Sequence, residues 1–121
     1  MKIAVTSQNK HSVTGHAGKC RKFWIYEIKE NAIEGRTLLE LPMEQAFHNS
    51  SPHEPHPLDN IQVFITGGMG GGVRQRLTSK GIDCVITEES DLETAVKHYL
   101  AHLAKGEPLS GKQIPIHIRE A

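Results

Sequence analysis

The sequence predicts an α/β domain, on three observations. Val63-Phe64-Ile65 is a short apolar run of strand formers, followed by five glycines among the six positions from Gly67 to Gly72, then by Val73 and Leu77 four apart on one helical face. Phe23–Ile28 is the stretch richest in aromatic and β-branched residues, and Lys29–Ala32 can turn it into a further strand over Ile33–Leu41. Finally, Leu92, Val96, Tyr99, Leu100 and Leu103 form an apolar stripe along a helix spanning Leu92–Ala104. Strands feeding helices through glycine turns are where open α/β sheets bind ligands, because a helix start offers unpaired N–H donors.

The remaining elements follow in order. Lys2–Thr6 alternates Ile3 and Val5 against Ala4 and reads as the first strand. Ser7–Lys22 is polar, glycine-containing and aperiodic; an unstructured connection of that length in a compact domain is commonly functional. Pro42–Pro57 reads as the least ordered stretch, with His48, His53 and His56 among prolines, and a short helix is expected near Leu58. The three histidines could close on a metal if this loop folds over the cleft, but a flexible polar loop is the preferred reading. Gly81 supplies a stop for the helix begun at the glycines, Ile82–Thr87 a further strand, and Ser90 or Asp91 a cap for the last helix. Ile114, Ile116 and Ile118 alternate in a tail that can dock as an extended edge. The expected organisation is one domain over 1–121, with its core at about 1–104 and a tail at 105–121.

Composition narrows the function. Fourteen basic residues balance fourteen acidic ones, so no long-range field gathers nucleic acid or an anionic membrane. No stretch approaches transmembrane length, and Met1–Thr6 turns polar too soon for a signal peptide. Two cysteines are too few for a disulfide framework, which makes a reducing cytoplasm the expected compartment. Eight histidines are the compositional oddity.

The glycine turn matches neither common nucleotide motif. No register gives Gly-x-Gly-x-x-Gly, and Gly72 is followed by Val73-Arg74 instead of Lys-Ser/Thr. Two readings stay open: a turn that lets the helix pack close to its sheet, or a backbone nest for another anion. The most promising side chains lie in the first long loop. His16 and Cys20 are imidazole and thiol ligands suited to zinc, copper or iron–sulfur species, and Lys19, Arg21 and Lys22 are expected to lower the cysteine pKa and attract an anionic cofactor. Ordinary packing roles for both residues are the alternative. His98 and His102, four apart, are expected on a solvated helix face, and Cys84 in a buried strand.

Met1-Lys2-Ile3-Ala4-Val5, Gly15-His16-Ala17-Gly18-Lys19-Cys20-Arg21-Lys22-Phe23 and Tyr26-Glu27 resemble the opening of the dinitrogenase iron-molybdenum cofactor biosynthesis family. Ile65-Thr66-Gly67-Gly68-Met69-Gly70, Arg76-Leu77, Gly81-Ile82, Ala95-Val96 and Tyr99-Leu100 are similar to its second half, although Ala17 stands where the family often has phenylalanine. The resemblance implies a ribonuclease H-like three-layer fold, with a five-stranded mixed sheet of order 3-2-1-4-5 whose second strand is antiparallel. It also implies that the loops after Thr6 and Thr66 open at one switch point. There His16 and Cys20 would be metal ligands, with Gly68, Met69, Gly70, Gly71, Arg74 and Lys19 contacting an iron-molybdenum cofactor or a simpler iron–sulfur cluster. The implied function is a non-enzymatic carrier of a metal cluster, with a cofactor-assembly or acceptor protein as partner and no nucleic acid or membrane. An interaction or regulatory domain that kept the fold without the cluster is the alternative. Nuclease chemistry is not expected, because Lys2–Thr6 and Ile61–Thr66 carry no carboxylate for paired metals.

Overall fold

The structure, a computed structural model, describes residues 1–104, so the tail isoleucines and His117 lie outside the described residues. In chain order the elements are β1 (Lys2–Thr6), β2 (Lys22–Lys29), β3 (Ala32–Glu40), β4 (Val63–Thr66), α1 (Gly71–Thr78), β5 (Asp83–Ile86) and α2 (Leu92–Ala104). They form a five-stranded sheet ordered β3-β2-β1-β4-β5. β2 runs antiparallel to β1 and β3, whereas β1, β4 and β5 are mutually parallel along the ladder. The mixed sheet and strand order are those that the family resemblance implied. Glu30 and Asn31 close the β2–β3 hairpin with φ of 54° and 64°, the positive pair that a two-residue turn between twisted strands requires.

Alternation along the strands divides the core in two. Ile3, Val5, Tyr26, Ile28, Val63, Ile65 and Val85 face α2, which buries Leu92, Ala95, Val96, Tyr99 and Leu100 against them. Asp91 caps this helix, its carboxylate accepting the Thr94 N–H at 2.9 Å. The expected stripe ends early, since Leu103 is 39% exposed. His98 and His102 are half-buried, not fully solvated as the spacing suggested.

The opposite face is built differently. α1 is short and buries only Leu77 and Arg76, so Phe47, Leu58 and Ile61 from the long connection complete the layer over Ala4, Phe23, Phe64 and Cys84. The Pro42–Pro57 stretch is therefore not a loose loop. It forms two 3-10 turns, Met43–Gln45 and Phe47–Asn49, and Phe47 packs its ring against Phe23 and Phe64. The expected helix near Leu58 is a single turn. The Asp59 carboxylate accepts the His56 N–H at 2.8 Å and the His56 Nδ1 accepts the Leu58 N–H at 3.1 Å, so side chains satisfy donors that a helix would have used. Arg76, 8% exposed, reaches across from α1 and donates to the carbonyls of Phe47, Ser50 and Ser51 at 3.0–3.2 Å. Its guanidinium also sits 4.9 Å from the Phe47 ring centroid.

His56 is a structural residue, not a metal candidate. It stacks on Phe47 at 4.8 Å, and its Nε2 lies 2.7 Å from the Gln45 carbonyl while Nδ1 accepts from Leu58. Both ring nitrogens are thus spent in the neutral form. Burial lowers its pKa from 6.5, so the unfolded chain binds the proton more readily than the folded one. Stability from this residue is complete above pH 6.5 and is lost as pH falls through the lower folded value. Urea unfolding of wild type and His56→Phe at neutral and mildly acidic pH checks this: the variant is expected to lose less stability on acidification.

Candidate functional site

β1 and β4 are parallel neighbours, yet the chain leaves β1 towards β2 on one side and β4 towards β5 on the other. Their C-terminal ends therefore open a crevice between two diverging loops, 7–21 and 67–70. These loops are fastened together by backbone. The Gly67 N–H donates to the Thr14 carbonyl at 2.9 Å, and the Ala17 N–H donates to the Gly68 carbonyl at 3.0 Å. Beneath them the buried hydroxyls of Thr6 and Thr66 meet at 2.8 Å. A Cβ on Gly67 would fall 3.2 Å from the Thr14 carbonyl oxygen, so any side chain there pushes the loops apart.

The crevice has a volume of about 510 Å³ and is lined by His16, Gly18, His48, Met69, Gly70 and Val73, together with further glycines of both loops and Ala17. No lining residue is acidic. Gly70 is the N-cap of α1, in extended backbone (φ −84°, ψ 170°) and without any capping side chain. Among the described residues, the N–H groups of Met69, Gly70, Gly71, Gly72 and Val73 have no hydrogen-bond acceptor. The Gly68 N–H is already taken by the Thr66 hydroxyl at 3.3 Å. A Cβ at Gly70, Gly71 or Gly72 would meet nothing within 4 Å. Close packing thus requires glycine at Gly67, whereas at the helix start the bare backbone faces open space with the positive end of the helix dipole behind it.

The side chains expected at the site separate into groups. His16 is exposed at the crevice in a left-handed conformation (φ 54°), and its carbonyl accepts the N–H groups of Lys19 and Cys20. Gly68, Met69 and Gly70 line the crevice with it; Gly71 begins α1 beside them. Arg74 does not line it, and its positive charge bears on the Cys84 thiol of β5. Lys19 and Cys20 border an adjoining depression of about 150 Å³, which His16 also borders.

The expected lowering of the cysteine pKa is reversed by burial. Cys20 is 3% exposed within the α1-side core, and its Sγ lies 3.1 Å from the Lys22 carbonyl, which accepts its S–H. Burial pushes its pKa up, outweighing the hydrogen bonds that lower it. The basic residues beside it in sequence do not reverse this: Lys19 is exposed, and the Arg21 Nε donates to the Leu41 carbonyl at 3.0 Å. Cys84 is buried as expected, its thiol pushed up to about 11 by burial. His53 is exposed away from the crevice. His48 does reach it, with its N–H donating to the Gly18 carbonyl at 2.7 Å. Nothing in the local pattern singled it out from His53 and His56.

Among the described residues, no three histidine, cysteine or acidic side chains gather into a metal-ion site of their own. The crevice combines exposed His16 and His48 with acceptor-free amides and no acidic side chain. Fold and crevice together describe a small α/β domain with an open crevice at the sheet's switch point.

The chain belongs to the dinitrogenase iron-molybdenum cofactor family, whose model matches residues 1–102. No curated protein matches it. Among solved structures it is similar to PH0822, at 20% identity and a TM-score of 0.63 over 84% of this chain and 89% of that one. It is also similar to a Methanocaldococcus jannaschii protein provisionally assigned as a dinitrogenase (14% identity, TM-score 0.62, 84% and 88% of the two chains). A Thermotoga protein provisionally assigned as NifB gives 15% identity and a TM-score of 0.54 over 87% and 88%. At these identities the likeness is one of fold.

Proposed function

We propose that this protein binds a preformed metal cluster, an iron-molybdenum cofactor or a simpler iron–sulfur cluster, in the switch-point crevice and carries it during cofactor assembly or transfer. The observation that supports this most is the joint placement of exposed His16 and the acceptor-free amides of Met69–Val73 in one crevice without acidic lining. Most thiolate-ligated clusters are anionic, so amides at a helix start stabilise them while imidazole supplies a neutral ligand to metal. The cluster is cargo, and exchange of one ligand at an open crevice permits its release to an acceptor protein. Cys20 is given a structural role, because a buried, protonated thiol is a poor ligand.

A carrier, not an enzyme, also fits the sheet's centre. The ribonuclease H-like description belongs to this proposal as architecture only, since β1 and β4 carry no carboxylate to hold paired metals. Among the described residues, no helix is long and apolar enough to cross a membrane.

Anaerobic incubation of the apoprotein with either cluster, followed by gel filtration, tests the proposal. Visible charge-transfer absorption is expected to co-elute in proportion to protein. His16→Ala is expected to weaken retention roughly tenfold or more, on the order of a lost metal ligand, and Cys20→Ser to retain the cluster. A protein that elutes colourless is instead an interaction domain that kept the fold.

A further inference from the structure

We infer that His48 is a second imidazole ligand of the same cargo, a proposal that rests on the reading of the crevice as a cluster site. The contrast among the three histidines of the long connection carries it. His56 is buried and uses both ring nitrogens within the protein. His53 is exposed but does not line the crevice. His48 lines the crevice with an exposed ring that makes no hydrogen bond to any described residue, as does His16. An imidazole free of internal partners keeps its lone pair for a metal.

The backbone around His48 is held far more firmly than its exposed ring requires. Its N–H is tied to Gly18 at 2.7 Å, which joins its segment to the loop that carries His16. A Cβ on Gly18 would lie 3.8 Å from the His48 Cβ and 3.4 Å from the Val73 Cγ2, so three segments meet at this wall. Immediately around it, Arg76 ties down the carbonyls of Phe47, Ser50 and Ser51. Arg76 is itself buried, and its charge is met by these three carbonyls and, from farther off, by Asp59 and Glu54. The result is a short segment, remote in sequence from both loops, that is fixed with His48 at the crevice wall.

Two imidazoles from separate segments imply a cargo with two exchangeable coordination positions, on one metal or on neighbouring ones. Each imidazole lone pair replaces an exchangeable ligand, such as a thiolate or water, with no change in oxidation state. The second bond forms intramolecularly after the first, so it slows release more than it speeds capture. This narrows the cargo to one that carries metal with at least two exchangeable coordination positions, as opposed to an anion held by amides alone.

The test uses a synthetic cubane iron–sulfur cluster with exchangeable thiolate ligands, added anaerobically to wild type, His16→Ala and His48→Ala carrying isotopically labelled histidine. After reduction, pulsed electron paramagnetic resonance is expected to resolve two imidazole nitrogen couplings in wild type and one in each variant. His48→Ala is expected to release the cluster about tenfold faster or more, in line with loss of the second attachment, while its melting temperature stays that of wild type. Wild-type release and unchanged nitrogen couplings in His48→Ala would overturn the assignment of His48 and leave His16 and the crevice standing. Failure of wild type to retain the cluster overturns both the crevice reading and this one.

Discussion

Replacing Gly70 by aspartate is expected to stabilise the apoprotein and, at the same time, to lower its affinity for an iron–sulfur cluster roughly tenfold or more, about 1.4 kcal/mol. The two effects have opposite signs because they come from the same feature. Gly70 is an uncapped N-cap in extended backbone, the conformation from which an aspartate carboxylate accepts the next turn's N–H groups. A carboxylate there gains a few tenths of a kcal/mol as a cap and a similar amount from the helix dipole, roughly 0.5–1 kcal/mol together. It also occupies the amides that the proposed cargo would use and repels an anion. No backbone strain complicates the comparison, since Gly70 has negative φ and its Cβ direction is open. Gly70→Val serves as the uncharged control, blocking approach without adding charge. Thermal melting and anaerobic cluster titration of the same preparations give both signs. Higher stability with undiminished affinity would mean that the helix start does not face the cluster.

Arg76→Ala is expected to cost the apoprotein about 2–3 kcal/mol. Three carbonyls lose a charge-assisted donor, and an unsatisfied buried acceptor costs about 1–3 kcal/mol by itself. Loss of the contact over Phe47 adds to this, because that ring also packs on Phe23, Phe64 and His56. Urea unfolding measures the loss directly. The same variant is expected to lose the His48 nitrogen coupling while keeping that of His16, since only the segment around His48 depends on Arg76. A stability loss below about 0.5 kcal/mol, the range of ordinary surface substitutions, would show that water replaces the guanidinium without consequence.

The legible parts of the fold are those whose signal is local. β1 and α2 carry their periods in consecutive residues, and the bounds Lys2–Thr6 and Leu92–Ala104 read from those periods are the ones observed. The sheet order came from family resemblance, because pairing of β1 with β4 joins segments about sixty residues apart that no periodicity connects. The 41–61 connection was illegible for a related reason. Phe47, Leu58 and Ile61 are buried without a common period, and the residue that fixes their segment, Arg76, lies in another element. At the crevice, the glycine turn and His16 are the residues read from sequence that the fold brings together. The environment of Cys20 is not legible from the adjacent basic residues, because burial dominates its pKa. His48 was indistinguishable from its two neighbours until the backbone bond to Gly18 placed it.

The central claim, that a cluster sits in the switch-point crevice, is tested most directly by amide nuclear magnetic resonance of the protein before and after loading with a paramagnetic iron–sulfur cluster. Amides of Gly15–Gly18, His48 and Gly67–Val73, which surround the crevice, are expected to broaden or vanish first, while those of β3 at the sheet's far edge persist. Broadening centred on His98 and His102 of α2, with the glycine turn unaffected, would contradict it.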